Sequence, residues 1–380
     1  MVQMKQRRVF AATLAALAML ATAATASAQQ VAGRWTAERA NAWQQQQGWL
    51  VGSNYAPATA INQLEMWQAE TWDPRTIDRE LGWAKGLGMN TMRVFLHDLP
   101  YRQDPQGFLN RVDQFLAIAD RHGIKPMFVL FDAVWDPFPR AGRQRAPTPG
   151  LHNSGWVQGP GAEILRDSAR WGELLEPYVR GVIGRFANDR RVLAWDLFNE
   201  PDNNNGGSYR AFEAPNKGEL AMALLRRTFA WARAVNPSQP LTAGPWKGDW
   251  ADSSQTAPIT RYMLDNADVI TFHSYDALPN LQRVVAVLQR LGRPVICTEY
   301  MARPRGSTFE AILPYFKEQR IGAMNWGFVS GKSQTIYPWD SWEHAYPAEP
   351  PVWFHDIFRP DGTPYRPAEA ELIRTLTARR

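Results

Sequence analysis

The 380-residue chain holds one cysteine, Cys297. No internal disulfide is available, so stability has to come from core burial, which about 350 residues can supply. Cys297 sits in an apolar run with no histidine or asparagine partner placed by sequence, and it reads as a packed core thiol. Beyond the first 28 residues no apolar run approaches the length of a membrane-spanning helix. Dense Lys/Arg blocks are also missing. The formal charge is +5, and Lys5, Arg7 and Arg8 contribute three of it in a leader without Asp or Glu, leaving +2. A nucleic-acid partner is excluded on that ground, and Arg140, Arg143 and Arg145 read as a solvated loop. The six histidines show no ligand spacing, so neither a metal nor another cofactor is implied. No glycine-rich phosphate loop follows the first strand, and no linker or fixed-period repeat divides the chain.

What is present begins with a leader. Lys5, Arg7 and Arg8 form a basic start, Val9 to Ala24 is apolar and alanine-rich, and Ala26-Ser27-Ala28 offers a small-residue cleavage site. Residues 1–28 are expected to be a secretory signal, with a single catalytic domain over 29–380 and a periplasmic or extracellular product. After signal removal no membrane association is expected, and the chain is expected to be monomeric.

From Gly48 onward apolar strands alternate with amphipathic helices. The strands are predicted at Trp49–Tyr55, Thr91–Leu96, Pro126–Phe131, Val192–Phe198, Leu241–Ala243, Val269–Phe272, Pro294–Thr298 and Ala323–Phe328. Asp73-Pro74 opens a helix that ends near Gly86, by an N-cap followed by proline at the first helical position. Phe108, Val112, Phe115 and Ala119 recur at helical spacing before His122-Gly123, and Leu281, Val284, Val285 and Leu288 do so before Gly292. Eight such units predict an α/β fold of the (β/α)8 TIM-barrel type, with an open α/β sheet as the alternative. Two long loops, Asp132–Gly161 after the third strand and Val329–Pro364 after the eighth, are expected to wall a cleft. The second carries Tyr337, Trp339, Trp342, Tyr346, Trp353 and Phe354.

Two strand ends carry glutamates. They are Glu200, in Leu197-Phe198-Asn199-Glu200-Pro201, and Glu299, in Thr298-Glu299-Tyr300. Both fall at the mouth of a parallel barrel, where chemistry is done. Two carboxyl groups there suffice for glycoside hydrolysis, one donating a proton and the other attacking or activating water. The Asn199 amide is placed to bond a sugar hydroxyl. Aromatic residues make up 12% of the chain, enough for sugar-stacking walls as well as for a large core.

These segments resemble the cellulase-type glycoside hydrolases of family 5, within the wider clan of retaining (β/α)8 glycosidases. The resemblance implies that Glu200 is the acid/base and Glu299 the nucleophile. It implies further that Arg93, in Thr91-Met92-Arg93-Val94-Phe95, lies near the nucleophile. His273 and Tyr275, in Phe272-His273-Ser274-Tyr275, match the strand-six pair, and Trp326, in Met324-Asn325-Trp326-Gly327, matches the platform under the sugar. Singly, each has a plain alternative: a helix cap for Asn-Glu-Pro, a core histidine, a packing tryptophan. Their order along the strands carries the weight. In place of the family's strand-three histidine the chain has Phe131-Asp132, so His97 and Asp98 are expected to supply polar contacts, with Asp132, Trp135 and Asp136 lining subsites. Lys332 implies recognition of an acidic sugar or a structural ion pair. The implied partner is an oligo- or polysaccharide. The expected activity is retaining hydrolysis of a β-linked glucan- or hemicellulose-type glycan, against a glycan-binding barrel or a transglycosylase on the same scaffold.

Overall fold

The structure is a computed structural model and describes residues 31–247, 250, 256–344 and 346–378. The signal expected at 1–28 lies outside the described residues. Trp35–Arg380 gathers into one compact unit.

Eight parallel strands form a single sheet: β1 Val51–Tyr55, β2 Thr91–Phe95, β3 Lys125–Asp132, β4 Ala194–Asn199, β5 Leu241–Thr242, β6 Ile270–His273, β7 Val295–Glu299 and β8 Gly322–Asn325. Their order, β5-β4-β3-β2-β1-β8-β7-β6, wraps through the β1–β8 pairing and brings β5 round to β6. There the closure is made differently. The Asp268 N–H donates to the Leu241 carbonyl at 2.8 Å, and the Asp268 carboxylate accepts from the Leu241 N–H at 2.8 Å. Thr242 Oγ1 meets the Val269 carbonyl and Thr271 Oγ1, each at 2.8 Å. Gly244 permits this approach, since a Cβ there would lie 2.7 Å from Thr271 Oγ1.

All eight predicted strands exist. Strand β8 stops three residues short of its expected end because Gly327 turns the chain at φ +81°. Nearly every strand residue is buried, as expected where helices cover a parallel sheet. Asp73 caps the predicted helix Pro74–Gly86 through the Thr76 N–H at 3.1 Å. Helices Pro105–Arg121 and Leu278–Gln289 bury the periodic residues that predict them, apart from half-buried Val284. Cys297 is fully buried, and burial pushes its thiol up. Among the described residues no helix is long and apolar enough to cross a membrane.

The two ends of the barrel differ. At the strand starts Leu50, Met127, Leu193, Val269, Ile296 and Met324 pack with Trp35 as an apolar plug. At the strand ends the same interior carries Asn54, Arg93, Asn199, His273 and Glu299. Polar chemistry is confined to one mouth.

Candidate active site

Glu299 is the last residue of β7, and Glu200 follows the last residue of β4. Glu200 takes φ +43°, a left-handed conformation that costs a non-glycine residue about 1 kcal/mol and persists where its surroundings enforce it. The bend turns its side chain into the mouth, opposite Glu299. His273, at the end of β6, stands between them. Its Nδ1 lies 2.7 Å from Glu200 Oε1 and 3.5 Å from Glu299 Oε2. One oxygen of each carboxyl group and the imidazole nitrogen all fall within 4.8 Å of one another. Among the described residues this is the one His/carboxylate cluster compact enough to share a cation, and its hydrogen bonds already engage the same atoms.

The surroundings of the two glutamates differ sharply. Arg93 Nη1 donates to Glu299 Oε1 at 2.7 Å and the Tyr275 hydroxyl donates to Oε2 at 2.8 Å. Arg93 is fully buried, and all five of its N–H donors are used: on Glu299, Asn54, Asn199 and, twice, Asp196. Glu200 receives only the Asn203 amide, at 2.7 Å, besides His273. Burial raises both carboxyl groups, and Glu200 reaches about 7. Burial also lowers His273 to about 4, leaving it neutral. The guanidinium and phenol on Glu299 favour its charged form, so the proton resides on Glu200.

A polar floor fixes the mouth. Asn199 Oδ1 accepts from Arg93, and its Nδ2 donates to Asp132 Oδ1 at 2.9 Å. Asp132 also accepts from Trp156 Nε1 at 2.7 Å and from the Val134 N–H at 3.1 Å, while burial raises it to about 6. Above this floor opens a cavity of about 390 Å³. Trp326, Trp135, Trp342, Trp339, Trp246 and Tyr275 line it together with the Asn203–Ser208 loop. Trp326 rests edge-on against Phe95 and Trp156, and Trp135 stacks on Trp342 at 5.3 Å. The loop is tied down by Asn205, which bonds the Trp135 N–H, the Ala133 carbonyl and Glu213.

Glu200, Glu299, Asn199, Asp132, Trp135, His273, Tyr275 and Trp326 thus meet at one cavity. Four of the expected contacts lie elsewhere. His97 does not line it. The ring is fully buried, accepting the Leu99 N–H at 3.0 Å and meeting the Gln158 carbonyl at 2.8 Å, because the residue caps the helix that begins at Asp98. Asp98 turns the same way, onto Arg102 at 3.0 Å. Lys332 does not line the cavity, and of its two readings the ion pair is the one present: its ammonium pairs with Glu65 at 2.5 Å, and its N–H bonds the Ala58 carbonyl, holding it toward helix Gln63–Trp67. Arg93 is near the nucleophile candidate, as expected, but sealed beneath the cavity, its guanidinium held by Glu299, Asp196, Asn54 and Asn199. Asp136 falls on a neighbouring concavity.

Sequence reasoning missed His152, Asn203 and Trp246. His152 lines the cavity with Nδ1 2.7 Å from the Tyr337 carbonyl, which makes that nitrogen the donor and leaves Nε2 a bare acceptor. Burial lowers this ring to about 4, keeping it neutral.

Comparison with known proteins agrees with this geometry. Residues 53–331, more than two thirds of the chain, match the sequence model of the cellulase family, glycosyl hydrolase family 5. A curated relative, mannan endo-1,4-beta-mannosidase A of Emericella nidulans, is 28% identical over 93 residues, 24% of this chain and 22% of that protein. The chain therefore aligns with about a fifth of that relative's length. The endo-beta-1,4-mannanase of Thermotoga petrophila superposes with a TM-score of 0.53 at 15% identity, over 87% of this chain and 76% of that one. GH5_18 from Streptomyces cattleya, in complex with GlcNAc, gives 0.55 at 13% identity over 86% and 80%. Exo-beta-1,4-mannosidase Op5Man5 from an Opitutaceae bacterium, strain TAV5, gives 0.53 at 19% identity over 87% and 60%. Likeness at such identities shows the fold alone. With the family match running from β1 past β8 and both glutamates inside it, the chain belongs to glycosyl hydrolase family 5.

Proposed function

We propose that the protein is an exported, retaining β-glycosidase in which Glu200 is the acid/base and Glu299 the nucleophile. The observation that carries this reading is the sub-4.8 Å approach of the two carboxyl groups, near the separation of about 5–5.5 Å that a retaining pair uses. Protonated Glu200 donates to the departing glycosidic oxygen while charged Glu299 attacks the anomeric carbon. Glycosylation removes the charge on Glu299, the Glu200 carboxyl falls back toward its ordinary range, and Glu200 then takes the proton of the incoming water.

Arg93 and Tyr275 hold Glu299 ionised and aimed. Trp326 provides the face under the ring at the cleavage point, and the His152 Nε2 accepts from a sugar hydroxyl. The relatives described as mannanases and a mannosidase make β-1,4-mannosides the first glycans to assay, ahead of glucans and xylans. The deciding measurement is NMR of the first-formed anomer on that panel. A β-anomer is expected; an α-anomer removes Glu299 as nucleophile. Export is tested by sequencing the N-terminus of the mature protein, expected just after Ala28.

A further inference from the structure

Beside the cleft lies a second concavity of about 420 Å³, walled in part by Phe138, Phe212, Tyr209, Arg140, Arg143 and Arg145. Its walls come from the loops after β3 and β4, on the same face of the barrel as the two glutamates. One aromatic layer separates the two spaces. Tyr209 packs edge-on against Trp342 at 5.4 Å, and Trp342 stacks on Trp135, both tryptophans lining the cleft.

The charges in this concavity are unequal. Arg145 is engaged, donating to Thr148 Oγ1 and the Ser154 carbonyl. The exposed guanidinium groups of Arg140 and Arg143 make no ion pair or hydrogen bond among the described residues, in keeping with the solvated loop expected there. The one carboxylate on the lining, Asp136, is occupied by the Phe138 N–H at 3.0 Å and by the Tyr209 hydroxyl. Phe138 and Phe212, 45% and 53% exposed, meet edge-on at 5.9 Å and offer an apolar rim. Free guanidinium forks select a carboxylate, and an aromatic rim suits the C–H face of a sugar ring.

We propose that this concavity is an accessory subsite for a uronic-acid substituent on the glycan whose main chain occupies the catalytic cleft. The proposal rests on the glycosidase reading above. It is tested by calorimetric binding to the Glu299→Gln protein, which leaves ligands uncut. The probes are glucuronic-acid-substituted mannotetraose and xylotetraose, each beside its carboxyl-reduced counterpart. At least one acidic ligand is expected to bind about tenfold more tightly than its reduced form, as two exposed charge-assisted pairs allow. That ratio is expected to fall to near one when Arg140→Ala and Arg143→Ala are added. Equal binding of acidic and reduced ligands, a preference surviving the double substitution, or no binding of any acidic ligand would overturn the subsite. Hydrolysis of neutral β-glycans by the unsubstituted enzyme is the separate readout. If it persists, only the subsite is lost; if no β-glycan is cut, the glycosidase reading is lost as well.

Discussion

Glu299 and Glu200 occupy equivalent positions at the ends of β7 and β4, yet they sit in opposite settings. Around Glu299 every strong partner carries or donates positive charge: a guanidinium with no spare donor and a phenol held edge-on by Trp339 at 5.0 Å. Around Glu200 the partners are a neutral amide and a neutral imidazole. Burial is common to both and does not distinguish them. What assigns one carboxyl to stay charged and the other to keep its proton is the identity of two or three neighbours.

The largest effect that sharpens this contrast comes from the glutamates themselves. Glu299→Gln is expected to lower kcat by about 10⁴-fold or more on every substrate, a loss of the size seen when a nucleophile is removed. Glu200→Gln is expected to spare much of the first step on aryl glycosides with good leaving groups, which need no acid. Equal losses on such substrates, read as pre-steady-state bursts, would break the contrast. Next comes Arg93→Met. It leaves Asp196 and Glu299 buried without their cation, so stability is expected to fall by about 3–5 kcal/mol, visible as a lowered Tm, with kcat falling too.

Smaller shifts divide between the two limbs of the pH profile. With Glu200 as the proposed acid, activity requires its proton, so the basic limb of kcat/KM is expected near 7, with activity lost as pH rises through it. The Asn203 amide favours charged Glu200, and Asn203→Ala should therefore move that limb upward, by less than about one unit. Tyr275→Phe removes a donor from Glu299. It should move the acid limb upward and cost about tenfold or more in kcat, the scale of one hydrogen bond to a charged group. A crossed result, with Tyr275→Phe moving the basic limb instead, would reverse the assignment. The smallest expected effect is at Lys332→Ala. It removes a half-exposed pair with Glu65 and should change KM by less than about twofold and stability by less than about 1 kcal/mol.

Much of this mouth was legible because strand ends are local signals. Alternating apolar runs placed all eight strands, and the residues closing β4, β6 and β7 are the ones that converge. What the chain did not disclose are partners brought together from far apart. Lys332 meets Glu65 across 267 residues, His97 meets the Gln158 carbonyl across 61, and the donor that frees His152 Nε2 is paired across 185. Lys332 and His97 were read correctly as polar and His152 was not singled out at all; in each case folding decided whether the side chain faced a sugar, a carboxylate or a backbone carbonyl. The β5–β6 closure was equally hidden, since threonine hydroxyls acting between neighbouring staves leave no periodic trace.

That closure has a consequence for how the cask comes apart. Elsewhere adjacent staves are laced by a main-chain ladder, but beside Leu241–Thr242 and Ile270–His273 no ladder forms: two separate main-chain bonds, Asp268 to Leu241 and His273 to Pro245, are supplemented by a carboxylate and two hydroxyls. Gentle heating should open this slit first, so its amides will take up deuterium ahead of those in β2 and β3. His273 hangs on one lip of the slit, and the gap between the glutamates will spring there before the rest of the wall gives way.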